Sequence, residues 1–248
     1  MINNIVVSAA GRGTRMGSLT TNQPKHLIQV AGRPFLTYLL DNIVAAGFTN
    51  IYVVIGYQAT AAYDFLRQYK LPPAVKLKII NQFELLGEDR YGTLMPLVAV
   101  ALELSGQSVV SVNGDNLYAV DDLKQMAQVI SSAVAGQEHN NPQRYGVLVP
   151  RINDTLEKIV EKSSNPPSNF INVGLYAFGL SIWPILSQVV VSSRGEYELT
   201  DAVNILCAQE EVAIVKLTGG WLDFGRPEDI KVVEQMVKVG ERRNQKPE

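Results

Sequence analysis

Along the first half of the chain, short apolar runs alternate with longer stretches of helical period. The runs NIVVSA (4–9), IYVVIG (51–56), VKLKII (75–80) and SVVSVNGD (108–115) read as strands. Between them, FLTYLLDNIVAAGF (35–48), TAAYDFLRQY (60–69) and TLMPLVAVALEL (93–104) read as helices, with Gly47 closing the first and Asp121 opening a further one. Strands that alternate with helices of this length predict a mostly parallel sheet with helices on both faces. The apolar positions in the strands (Val53, Val54, Ile55; Val109, Val110) do not alternate with polar ones, so both faces of the sheet are expected to be buried.

The pattern changes after AGQEHNNPQ (135–143), which reads as a loop. RYGVLVPR, LEKIVEK and FINVGLYAFG follow at hairpin-like spacing and predict a smaller antiparallel layer. A helix from Ser181, the helix LTDAVNILCAQ, the strand VAIVKL, the segment WLDFG and a terminal helix from Pro227 complete the chain. With no repeat, low-complexity tract or linker, residues 1–248 are expected to form a single α/β domain.

Composition narrows the class. The 248 residues are 46% hydrophobic and 19% charged, with a formal net charge of −2, which argues against disorder, a coiled coil or a fibre. Near neutrality gives no electrostatic footprint for nucleic acid or a membrane surface, so neither is an expected partner, and any phosphate chemistry must rest on locally placed cations. Cys207, the only cysteine, excludes an intramolecular disulfide framework and falls on the apolar face of a helix. The N-terminus lacks a basic stretch before its short apolar run, and the longest later apolar stretch, Leu94 to Leu102, is interrupted by a proline. A cytoplasmic protein with neither signal peptide nor span is expected.

The strongest local signal follows the first strand: Ser8-Ala9-Ala10-Gly11-Arg12-Gly13-Thr14-Arg15-Met16-Gly17. Glycines there let backbone N–H groups approach and cradle a phosphate. A tight turn or a dinucleotide loop would use the same residues. The second strand, however, ends in Ile55-Gly56-Tyr57 without the ribose-binding carboxylate of a dehydrogenase, and no Gly-Lys-Ser/Thr follows as in a P-loop.

The continuation, Asn22-Gln23-Pro24-Lys25-His26-Leu27-Ile28-Gln29-Val30-Ala31-Gly32-Arg33-Pro34, distinguishes this loop. AAGRGTRM and QPKHLIQVAGRP in this order resemble the N-terminal signature of the sugar-1-phosphate nucleotidyltransferases, which join nucleoside triphosphates to sugar 1-phosphates. The resemblance extends over almost the whole chain. It implies a Rossmann-like fold, with a nucleotide half (1–134) and an acceptor half (135–248), in which Ala10, Gly11, Gly13 and Thr14 wrap the triphosphate. Arg15 and Lys25 then stabilise the departing pyrophosphate.

Val112-Asn113-Gly114-Asp115 ends a buried strand with a carboxylate, where open α/β sheets bind ligands, and Trp221-Leu222-Asp223-Phe224-Gly225 resembles the family's second aspartate segment. Asp115 and Asp223, with phosphate oxygens and waters, suit the octahedral oxygen shell of Mg2+. In the acceptor half the resemblance gives Gly146 a close backbone approach, Glu161 the sugar hydroxyls and Lys162 the acceptor phosphate, with Asn172 alongside. Glu198 and Asp201 are assigned to architecture and helix capping, and Trp221 reads as core or as a wall of the sugar pocket, with core preferred.

Several positions depart from the family pattern: Ser8, Gly17-Ser18 and Arg226 replace a leucine, Arg-Pro and a threonine. The base-reading segment from Gln82 to Gly92 and Thr93 is longer than in typical sugar members and partly resembles relatives that activate phosphocholine with CTP. Its Gly87–Tyr91 loop also reads as a flexible lid. Gln82, with an amide that both donates and accepts, suits a pyrimidine base, so UTP or dTTP is expected. A cytidylyltransferase for a non-sugar phosphate and a non-catalytic nucleotide-sugar sensor are the alternatives. The four retained residues Arg15, Lys25, Asp115 and Asp223 speak against a sensor. No hexapeptide-repeat stretch is present, so no fused acyltransferase domain is expected. A homo-oligomer is compatible with the sequence.

Overall fold

The computed structural model describes residues 1–244. Its strands assemble in the order Ala213–Lys216, Ala133–Glu138, Phe170–Phe178, Val109–Asn113, Asn4–Ala9, Asn50–Ile55 and Lys76–Asn81. All are parallel except Phe170–Phe178, which runs antiparallel to both neighbours. The hairpin of Gly146–Pro150 and Leu156–Glu161 joins beside the start of that strand, where Ile171 faces Val147. Of the three strands expected to form an antiparallel layer, these two form the hairpin, while the third, Phe170–Phe178, lies within the main sheet, so all three belong to one continuous sheet. The hairpin's free edge is closed by Asn204 on the helix Leu199–Gln209, whose amide accepts from the Ile159 N–H at 2.7 Å and donates to the Ile159 carbonyl at 3.0 Å.

The non-alternating strands are buried on both faces, as expected. Ile5, Val7 and Val112 pack under the helices Phe35–Ala45 and Val120–Ala127. Val6, Val54 and Val109 point to the opposite face, beneath Met95–Leu104 and Leu199–Gln209. Two apolar layers on one twisted sheet give the α/β sandwich that the periodicity predicts. No described helix is long and apolar enough to cross a membrane.

Two expectations need correction. Residues 135–143 are not wholly loop, because Ala133–Glu138 is a strand between two neighbours. A Cβ on Gly136 would lie 2.6 Å from Leu148 Cδ1 and 2.9 Å from the Ile171 carbonyl oxygen. Packing there admits only small residues, and such a run carries no strand signal. The helix from Ser181 lasts a single turn, Ile182–Ile185, before a 3-10 turn, Leu186–Gln188.

Candidate active site

The carboxyl ends of Asn4–Ala9, Lys76–Asn81 and Val109–Asn113 deliver their following residues to one cleft of about 550 Å3, within the range of small-molecule sites. Every residue singled out above for nucleotide, metal, acceptor or catalysis lines it, from Ala10 and Arg15 at one end to Glu161 and Lys162 at the other. The two halves of the chain therefore face a common space.

The glycine loop is shaped by what packs beneath it. Gly13 has φ +64°, and a Cβ there would come within 3.1 Å of Lys25 Cβ and 3.2 Å of Thr20 Cγ2. Thr20 Oγ1 donates to the carbonyls of Gly13 and Gly17, and the 3-10 segment Thr14–Thr20 kinks at Gly17. Gly17 thus supplies the positive φ that a bulkier residue resists.

At the centre of the cleft Lys25, 8% exposed, forms an ion pair with Asp115. Burial raises the Asp115 carboxyl, but Lys25, with His26 and Arg15 behind it, outweighs burial and holds it below the ordinary carboxylate range. Asp223 lies close by, because Trp221–Asp223 pairs with Asn116–Tyr118 and the Phe224 N–H donates to the Asp115 carbonyl at 2.8 Å. Burial and the Asp115 charge push the Asp223 carboxyl up to about 6, against Arg15 and Lys25. Tyr145 adds its hydroxyl to Asp223 Oδ2 at 3.4 Å. Asp229 accepts from the N–H groups of Gly225 and Arg226 at 2.9 and 2.7 Å, which pins the turn after Asp223 and accommodates Arg226. Burial and Lys25 depress His26 to about 3, so the imidazole is neutral.

On the nucleotide side, Gln82 opens the short helix Gln82–Leu86, capped by the Asn81 side chain. Its Nε2 donates to the Arg90 carbonyl at 3.3 Å, and its buried Oε1 has no hydrogen-bond partner. The Gly87–Tyr91 loop is tied down at its end. The Tyr91 carbonyl accepts from the Tyr197 N–H, and its ring lies under the Arg12 guanidinium. Thr93 lines the cleft, yet its hydroxyl accepts from the Leu199 N–H at 2.9 Å and faces Glu198.

On the acceptor side, Gly146 leaves room for Glu161, whose Oε2 would be 2.8 Å from a Cβ there. Lys162 has φ +46°, uncommon for a side-chain-bearing residue and characteristic of functional sites. The Asn172 amide is engaged within its own strand, by the Tyr176 hydroxyl at 2.6 Å and the Gly174 N–H at 3.0 Å. Burial pushes the Glu161 carboxyl up, while Lys162 and Arg194 pull it back.

Two assignments change. Trp221 is only half-buried and lines the cleft, edge-on to Tyr145 at 5.6 Å, with its indole N–H buried and unpartnered. It is a wall as well as a core contact. Glu198 occupies the N-cap position of its helix without making a cap bond, and the Thr93 hydroxyl takes the first N–H instead. Tyr145, Tyr176 and His26 also line the cleft. His26 sits inside the QPKHL signature but is buried and depressed beside Lys25, and the two tyrosines carry no spacing signal that marks them.

A sheet-edge cleft with a glycine loop, a buried lysine and paired carboxylates defines an α/β phosphate-handling protein. The family model described as nucleotidyl transferase matches residues 4–238, and the chain belongs to that family. It is 33% identical over 225 residues to the bifunctional protein GlmU of Methanocaldococcus jannaschii, covering 91% of this chain and 52% of that protein. It thus spans about half the length of that relative. It is 30% identical over 243 residues to the UTP-glucose-1-phosphate uridylyltransferase AglF of Haloferax volcanii, covering 94% of this chain and 96% of AglF. The fold is also that of UDP-glucose pyrophosphorylase solved with UDP-glucose, at a TM-score of 0.85, 20% identity, 97% of this chain and 100% of that one. A putative glucose-1-phosphate thymidylyltransferase from Bacillus anthracis superposes at 0.81, with 21% identity and 95% of each chain covered.

Proposed function

We propose that the chain joins a nucleoside triphosphate to a sugar 1-phosphate, releasing pyrophosphate and a nucleoside diphosphate sugar. The observation that carries this reading is the single cleft. The glycine loop and Gln82, the acceptor-half residues Gly146, Glu161 and Lys162, and Arg15, Lys25, Asp115 and Asp223 all line it.

A phosphate oxygen of the acceptor is already an anion near neutral pH, so no general base is needed. It attacks the α-phosphorus in line, the bond to the β-phosphate oxygen breaks, and pyrophosphate leaves with the electron pair. The protein contributes position and positive charge. Lys162 and Glu161 hold the acceptor, the N–H groups of Gly11 and Gly13 hold the triphosphate, and Arg15 and Lys25 meet the charge on the leaving group. Asp115 and Asp223 would hold Mg2+. Carboxylate oxygens are hard donors that suit that ion, and the Asp115 charge that helps push Asp223 up to about 6 is a repulsion that a shared cation would relieve. Mg2+ would supply charge neutralisation at the reacting phosphate. Among the described residues no cluster of three or more acidic, His or Cys side chains could hold a metal, so substrate oxygens and water would complete the shell.

The unpartnered Gln82 Oε1 offers an acceptor to a base that carries a ring N–H, as uracil, thymine and guanine do and cytosine and adenine do not; among the pyrimidines this supports UTP or dTTP over CTP. A cytoplasmic setting fits these substrates. Pyrophosphate release, screened over the four common ribonucleoside triphosphates and dTTP against sugar and alcohol phosphates, tests the reading. One productive pair containing a sugar 1-phosphate is expected. Turnover with phosphocholine alone would replace the acceptor assignment, and no release with any pair would refute the reaction.

A further inference from the structure

Resting on the functional reading above, one feature of the cleft joins its two sides. Arg194 stands on the tight turn of residues 192–196, closed by Ser192 N–H to Glu196 carbonyl at 2.9 Å. Its guanidinium meets the Glu198 carboxylate at 2.6 Å and the Glu161 carboxylate at 3.8 Å. The Glu198 side chain is 6% exposed, and its other oxygen accepts from the Thr93 hydroxyl at 3.4 Å. That hydroxyl also receives the Leu199 N–H. Beside it, Tyr197 bonds to the backbone of both Tyr91 and Leu94, so closely that a Cβ on Gly92 would lie 2.2 Å from the Tyr197 carbonyl oxygen. A buried carboxylate needs its cation, and one that serves two carboxylates fixes their separation.

We propose that Arg194 and Glu198 are positioning residues that hold acceptor-side Glu161 and the nucleotide-side Gly92–Thr93 segment in one frame, so that loosening either side is felt at the other. Neither residue needs to touch a substrate for this. The contacts run from Glu161, which lines the cleft, through Arg194 and Glu198 behind it to Thr93, which lines it again, and join residues 33, 4 and 105 positions apart in sequence.

The test has two arms on the full chain. In the first, amide hydrogen exchange is measured without ligand for Arg194→Met, which keeps the stem and removes the charge, and for Arg194→Lys. The amides of Leu94, Tyr197 and Leu199 should exchange about tenfold faster in Arg194→Met and less so in Arg194→Lys, while those of Val110 and Val112 keep their protection. Faster exchange throughout would mark a general folding defect, and Arg194→Lys then decides. Unchanged exchange at the three amides overturns the proposal.

The second arm is steady-state kinetics with UTP and glucose 1-phosphate as probes. Thr93→Val, on the nucleotide side, should raise the KM for glucose 1-phosphate at least about threefold, as should Arg194→Met, with kcat changing less. A Thr93→Val effect confined to the KM for UTP overturns the coupling. If the wild-type chain turns over no triphosphate and sugar phosphate pair, the functional reading fails and the exchange arm alone decides the brace.

Discussion

Replacing Lys25 by methionine isolates the ion pair at the centre of the cleft. Methionine retains most of the aliphatic stem and removes the ammonium, leaving Asp115 beside Asp223 with Arg15 as the remaining nearby cation. Removing one partner of a buried pair costs about 3–5 kcal/mol, because the other charge is left uncompensated. The Asp115 side chain is 18% exposed and keeps Arg15 in range, which places the expected loss at the lower end, about 3 kcal/mol. For a chain of this size each kcal/mol shifts Tm by about 2–4 °C, so a fall of about 6–12 °C is expected.

The sign of the Mg2+ effect is the sharper test. On the Mg2+ proposal, a divalent cation would have to displace the ammonium from Asp115 in the wild type, whereas in Lys25→Met it would meet a carboxylate pair without that competitor. If binding tightens tenfold, saturating Mg2+ returns about 1.4 kcal/mol more to the variant than to the wild type. Thermal unfolding of both proteins with and without Mg2+ measures this directly. Asp115→Asn should cost less than Lys25→Met, since its amide oxygen still accepts from Lys25, and it should lose the Mg2+ shift. A Lys25→Met Tm within about 2 °C of the wild type, or an Mg2+ shift no larger than the wild type's, refutes the reasoning.

Further outcomes follow from the same geometry. Lys162→Ala should raise the acceptor KM about tenfold and leave the triphosphate KM nearly unchanged, since a half-exposed charge-assisted contact is worth the low end of its range; a rise in the triphosphate KM alone would contradict the two-sided cleft. Gln82→Ala should erode the ratio of kcat/KM for UTP over GTP by about tenfold, and an unchanged ratio would discard the base assignment while sparing the reaction. Cys207 is buried, and burial pushes its thiol up to about 11 from 9.0, so its thiolate fraction at neutral pH should be about a hundredfold lower than in the unfolded chain. Labelling by a thiol reagent, with and without denaturant, checks this, and rapid modification of the native chain would contradict the burial.

Much of the molecule was legible one segment at a time. The glycine loop, the Pro24-Lys25 pair and the strands buried on both faces are local signals, set by backbone conformation and by periodicity. They sufficed to bring the glycine loop, Gln82 and Asp115 to one cleft, because carboxyl ends of parallel strands share an edge. Tertiary structure alone decided which partner each side chain took. Lys25 and Asp115 meet across 90 residues, and Thr93 and Glu198 across 105, because the register of the sheet and the antiparallel return of Phe170–Phe178 bring their segments together. Asn172 and Thr93 were legible as cleft residues but not as side chains already engaged by Tyr176 and Leu199. Ala133–Glu138 was missed for the same reason: its small residues answer to the neighbours on either side, Leu148 and Ile171 among them, and a contact of that kind leaves no period in the segment that makes it.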